Sequence, residues 1–260
     1  MPRIHATTKD WRTWLRLLTL ALLAWGISRA IPYAGPESLE YIAPRAASLG
    51  ILFSITVGFL MFKTLNRREA LDEHIALELN KIRRIHHLAQ YLMEAHGHLA
   101  PWFGQIREGI VNYLRSFEER TFADYEEGGP LFRDITYPIY GLPSLGKEYN
   151  RELYEALLFT SNQATEAREH IRLSKNDRIG RFSWFVVIVI SLVFSWLVIA
   201  SMPYDTFLRD VGAGIIFCLF LVLQLIHEHD RVNVVRDKGL AAKYLDDLQA
   251  IETAQAAKES

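Results

Sequence analysis

The chain has 260 residues, 50% of them hydrophobic and 23% charged, with 29 Lys and Arg against 30 Asp and Glu for a formal net charge of -1. Near-neutrality argues against a basic nucleic-acid-binding face, and the single cysteine, Cys218, excludes an intrachain disulfide and any Cys-based zinc or iron-sulfur site. The averages hide a segregation, because residues 182–204 hold no charge while residues 63–181 hold 17 Lys and Arg and 18 Asp and Glu, and a water-soluble globule does not sort its charges in that way.

The first candidate membrane span covers 14–31, where Arg16 and Arg29 interrupt the apolar run and must reach outward along their aliphatic stems. A cleaved signal peptide is the competing reading, since Arg3, Lys9 and Arg12 precede the run. The second span, 46–62, is uncharged between Arg45 and Lys63. The third, FSWFVVIVISLVFSWLVIASM over 182–202, is 21 uncharged residues long, enough to cross a hydrocarbon core of roughly 30 Å. The fourth, 211–226, is shorter and borrows Phe207 and Leu208, with Arg209 and Asp210 expected at the interface.

Lys and Arg cluster in the N-terminal arm, after the second span, before the third (Arg168, Arg172, Lys175, Arg178, Arg181) and in the tail, against only Arg29, Arg45 and Arg209 on the other side. The positive-inside rule then puts both termini and the central region in the cytoplasm. The expected organisation is an N-terminal hairpin (1–62), a cytoplasmic helical region (63–181), a C-terminal hairpin (182–226) and a helical tail (227–260). The expected fold class is an all-α membrane protein, with four transmembrane helices in two hairpins extended by a long-helix cytoplasmic bundle.

Within the cytoplasmic part, Leu71, Ile75, Ile82, Ile85, Ala89 and Leu92 recur at helical spacing, with Glu78 the one polar residue in the stripe. This predicts a long amphipathic helix continuing straight out of the second span. A further helix is predicted over 102–117 with Pro101 in its first turn, then a Gly- and Pro-punctuated loop to about 144. Helices over 145–173 and 230–256 follow.

None of the catalytic motifs G-x-S-x-G, H-E-x-x-H, the phosphate loop or the dinucleotide fingerprint is present, so neither an enzyme nor a cofactor is expected. His86-His87, His96-Gly97-His98 and His227-Glu228-His229 invite a metal hypothesis. Neighbours one or two apart on a helix point about 100° or 200° away from each other, however, and cannot chelate without a second element. No Asp, Glu, Lys or His lies in the middle of any predicted span, which argues against an ion-driven motor or proton-coupled carrier.

Ile51, Ile55 and Phe59 stand four residues apart in the second span, followed by Lys63, Arg67 and Arg68. Several copies around an axis would turn that stripe into apolar rings that gate by dewetting, above positive rings that concentrate anions. Lipid-facing or core packing is the alternative use of the same stripe.

The stretch ILFSITVGFLMFKTLNRREALDEH resembles the second transmembrane helix of bestrophins and of the prokaryotic bestrophin-like domain family, with an apolar triplet ending in Gly58-Phe59 and an arginine eight residues further on, Arg67. The segment AREHIRLSKNDRIGRF and the general plan are similar too. The resemblance implies a homo-oligomeric, five-fold channel for small inorganic ions, chloride among them, in the lipid bilayer of a bacterial inner membrane. Ile51, Ile55 and Phe59 would form its neck, and Lys63, Arg67 and Arg68 its cytoplasmic mouth. Where bestrophins carry a Pro-Phe-Gly turn and a calcium-clasping acidic run, this chain reads HEHDRVNVVRDKG, so calcium gating is not expected. The runner-up reading is a non-conducting scaffold or sensor whose cytoplasmic helices bind a partner.

Overall fold

A computed structural model describes residues 11–118, 122–142, 151–231 and 238–259, and among these the regular structure is helical throughout. In chain order the elements are α1 (Trp11–Ala30), α2 (Pro36–Ala95), a 3-10 turn (Gly97–Leu99), α3 (Ala100–Arg115), a 3-10 segment (Phe122–Gly128), α4 (Gly129–Tyr140), α5 (Arg151–Asn176), α6 (Arg181–Ala200), α7 (Thr206–Arg231) and α8 (Lys238–Glu259). Of the predicted helices, residues 145–150 and 232–237 lie outside the described residues, as does the N-terminal arm. The chain divides into two compact units, one of Met1–Thr64 with Ile179–Glu228, the other of Leu65–Arg178 with His229–Ser260.

In the first unit, Phe53, Val57 and Leu60 of α2 pack with Ile179, Val187 and Ile226, while Ala24, Ile199 and Ile216 form a second cluster. Gly212 makes the approach of α6 and α7 possible, since a Cβ there would stand 2.6 Å from the Ile199 side chain and 2.7 Å from Met202. Gly50 faces Phe194 in the same way, whereas Gly58 and Gly214 look onto open space. The outward surface is apolar, with Leu18, Leu22, Phe185, Leu192 and Trp196 all more than half exposed. Such a surface is a liability in water and ordinary in lipid. The hydroxyls of Ser54, Thr56 and Ser191 donate to carbonyls four residues back, which leaves no donor of theirs unsatisfied in an apolar medium.

Among the described residues, three helical stretches are long and apolar enough to cross a membrane, Pro36–Ala95, Arg151–Ala200 and Thr206–Asp230. The predicted first span does form a helix, α1, but with Arg16 and Arg29 in it it is not one of the three. Arg209 is buried within the protein at 1% exposure.

The second unit has an extensive core. The predicted stripe of Leu71, Ile75, Ile82, Ile85, Ala89 and Leu92 is fully buried, against Ile106, Ile110, Tyr113 and Leu114 of α3, Ile135 and Ile139 of α4, Leu157 and Ile171 of α5, and Leu240 and Tyr244 of α8. The main correction concerns residues 118–144, predicted as loop, which contain the 3-10 segment and α4. Gly129-Pro130 there opens a helix, as proline suits the first turn. Phe132, Ile135, Thr136 and Ile139 then give a buried stripe. Pro138 deprives the Asp134 carbonyl of its helical donor, and that carbonyl faces Gly109, where a Cβ would lie only 2.8 Å away.

Candidate functional site on the second helix

Helix α2 carries two opposed stripes. Phe53, Val57, Leu60, Thr64, Arg67, Leu71 and Ile75 follow one another at three- and four-residue steps and are all buried. On the other side Ile51, Ile55 and Phe59 are 64%, 66% and 64% exposed, so a single protomer leaves the predicted neck residues uncovered on one face. Steps of four turn about 40° each on a helix of 3.6 residues per turn, which keeps the three together.

The three basic residues differ in exposure. Lys63 is half-buried and Arg68 exposed. Arg67, predicted at a pore mouth as an anion-attracting cation, is withdrawn from the surface, its side chain 4% exposed. Its Nη1 donates to Asp230 Oδ1 at 3.0 Å and to the Asp177 carbonyl at 3.0 Å, and its Nη2 donates to the Asp230 carbonyl at 3.1 Å. The reason is angular. Sixteen residues beyond Ile51, a helix has turned through about 160° relative to it, onto the buried stripe. Burial pushes the Arg67 pKa down from its ordinary value, and the Asp230 charge pulls it back up.

A second constellation centres on Glu78, which is fully buried. Tyr113 donates to Oε1 at 2.8 Å, Tyr125 to both oxygens at 3.0 Å, and Tyr244 to Oε2 at 2.6 Å. Arg168 Nη1 lies 3.7 Å from Oε1 and donates to the Tyr113 hydroxyl at 2.6 Å, while Nη2 donates to the Tyr125 carbonyl at 3.0 Å. Its guanidinium also covers the rings of Tyr125 and Phe132. Five elements, α2, α3, the 3-10 segment, α5 and α8, thus meet on one carboxylate. Burial raises the Glu78 pKa above the usual range, opposed by the Arg168 charge and the three phenols. All three phenols are pushed well above the ordinary tyrosine value, first by burial and then by the Glu78 charge. Glu78 was visible in the sequence as the polar break in an apolar stripe, but its partners, 35 to 166 residues away, were not.

Six of the described histidines meet in ring pairs. His86 and His87 meet at 78°, His96 and His98 at 64°, and His74 stacks on His170 with centroids 5.0 Å apart. Among the described residues no group of three or more His, Cys, Asp or Glu side chains is arranged to hold a metal ion.

Helices apolar enough to cross a bilayer, wrapped in an apolar outer surface and joined in sequence to a well-packed helical unit, define an all-helical membrane protein. Its family follows from the sequence of the same segments: the chain belongs to the bestrophin-like family, the Bestrophin-like domain matching residues 17–231. Its fold is similar to the crystal structure of a variant of a bacterial bestrophin homolog from Klebsiella pneumoniae, with a TM-score of 0.58 and 11% sequence identity over 92% of this chain and 98% of that one. No curated protein matches the chain.

Proposed function

We propose that this protein is the subunit of a homo-oligomeric ion channel, with α2 lining an axial pore and Ile51, Ile55 and Phe59 forming its apolar neck. Membership of the bestrophin-like family supports the channel class. The observation that carries the neck is the stripe itself: three large apolar side chains about two-thirds exposed on a helix whose opposite face is buried. Rings of such residues around an axis form a hydrophobic constriction that passes ions only when wetted. A five-fold assembly in a bacterial inner membrane, with both termini cytoplasmic, accords with the Lys and Arg distribution and the family.

Anion preference, the finer part of this reading, is drawn from the basic residues that follow the neck in sequence, Lys63 first among them. Ion flux into liposomes tests the neck: Ile55→Ala and Phe59→Ala should each raise flux above the unsubstituted protein. Flux equal to that of protein-free liposomes for all three forms, together with a monomer in mild detergent, would instead favour a non-conducting scaffold. Reversal potentials test selectivity, and Lys63→Glu should shift them toward cations.

A further inference from the structure

We propose that the cleft between α4 and α5 of the second unit binds a small aromatic carboxylate.

The cleft has a volume of about 630 Å³, inside the range of roughly 300–1,000 Å³ that small-molecule sites occupy. Its walls are the 3-10 segment, α4 and α5, all within one unit. Gly129, Arg133, Tyr137 and Tyr140 of α4 line it at three- and four-residue steps, and so share one face of that helix. α5 runs alongside in the opposite sense. Arg172 lies by Glu126 and Arg168 by the Tyr125 carbonyl, just ahead of α4, whereas Asn162 accepts from the Tyr140 hydroxyl at its far end. The two ends of the cleft therefore differ in chemistry. One is charged, with Glu126, Arg168 and Arg172, and the other is aromatic, with Tyr137 and Tyr140 62% and 55% exposed.

The charge of the ligand follows from which cations are already paired. Arg168 is held by Glu78 and the tyrosines around it, and Arg172 lies 3.5 Å from Glu169 and 3.9 Å from Glu126. Arg133 is exposed and has no carboxylate partner among the described residues. It stands one turn beyond the start of α4, where the N-cap Gly128 brings no side-chain acceptor and the helix end favours negative charge. One free guanidinium fork matches one carboxylate, which it grips through two parallel N–H bonds. Glu126 and Glu169 repel further negative charge, which disfavours polyphosphates. Tyr137, four residues on from Arg133, lies about 6 Å further along the helix axis, so one short molecule meets both. Its ring, already in the cleft and uncovered, offers a face on which an aromatic ligand stacks.

Isothermal titration calorimetry on the full-length protein in mild detergent tests this with phenylacetate as the probe, and it reads binding without any ion flux, so the site and the pore can fail separately. A saturable heat is expected beyond that of detergent alone. Acetate, which lacks the ring, and inorganic phosphate should give none at the same concentrations. Arg133→Gln should weaken phenylacetate at least about tenfold, and Tyr137→Ala about two- to tenfold. Both positions are exposed, and unchanged melting temperatures would confirm that the variants fold. Glu169→Gln, which removes a like charge, should tighten binding. No saturable heat would overturn the proposal, as would phenylacetate binding that Arg133→Gln leaves unchanged. Equal binding of acetate or phosphate would reduce the site to an anion contact without ring recognition and overturn it too. Phenylalanine bound more tightly than phenylacetate, and weakened by Glu169→Gln, would replace the carboxylate with a zwitterion.

Discussion

The hydroxyl of Tyr244 on α8 donates a 2.6 Å hydrogen bond to Oε2 of Glu78 on α2, inside a core where both residues are fully buried. The helix that bears the proposed neck is thereby tied to a helix 166 residues further along the chain. Lys243 to Asp72 at 2.7 Å and Arg83 to Asp247 at 3.0 Å flank the same contact. α8 is thus an integral part of the second unit rather than a loose tail.

Arg168→Met removes the cation and leaves Glu78 as a buried carboxylate held only by phenols. Breaking a buried pair from one side typically costs about 3–5 kcal/mol. The urea midpoint should fall accordingly. Tyr244→Phe, which removes one hydrogen bond to a charged group, should cost roughly 1.5–3 kcal/mol. Similar midpoints for Arg168→Met and the unsubstituted protein would show that the ion pair contributes little.

Stability should fall steeply in alkali. Tyr113, Tyr125 and Tyr244 keep their protons in the folded state at a pH where the unfolded chain loses them, because burial and Glu78 raise their pKa values. Their contribution is complete below about pH 10 and is lost as pH rises through the raised folded values. Glu78 acts in the same sense at lower pH. Its raised pKa contributes stability below the ordinary carboxylate range that is lost as pH climbs through the folded value. Denaturant midpoints measured against pH check both, and Tyr244→Phe should flatten the alkaline slope.

Arg67 and Asp230 should be strongly coupled. Asp230→Asn leaves a buried guanidinium without its counter-charge, at a cost of about 3–5 kcal/mol, whereas the Arg67→Met, Asp230→Asn double variant should recover part of that loss. A double-mutant cycle measures the coupling. Additive losses would mean that the 3.0 Å contact carries no specific energy. Arg67→Met should also leave reversal potentials unchanged, in contrast to Lys63→Glu.

Gly109→Ala places a methyl group 2.8 Å from the Asp134 carbonyl. Forcing α3 and α4 apart should cost about 1–3 kcal/mol. Gly104→Ala, in the same helix but with open space around the new methyl, should gain up to about 1 kcal/mol through helix propensity. Thermal melting of the two variants should therefore shift in opposite directions.

Most of the helical content was legible in the chain because helix signals are local. The stripe from Leu71 to Leu92 and the apolar runs of α2, α6 and α7 each follow from spacing or length over fewer than about thirty residues. Helix α4 was missed because Gly129, Pro130 and Pro138 read as breakers, although the first two open a helix and the third is accommodated near its end against Gly109. The burial of Arg67 was not legible, because its partner Asp230 lies 163 residues away in the sequence.

The amino-acid sequence by itself determined most of the helical segments, the apolar runs of α2, α6 and α7 that suit lipid, and that one carboxylate interrupts an apolar stripe. Only the tertiary structure decided that Tyr113, Tyr125, Arg168 and Tyr244 converge on that carboxylate, that Asp230 takes Arg67 out of the exposed set, and that Arg209 is buried at the end of α1. The physical reason is range. Hydrophobic periodicity is written into neighbouring residues, whereas the partner of a buried charge is chosen by whichever distant segment packs beside it, since leaving that charge unpaired costs more than most single contacts supply.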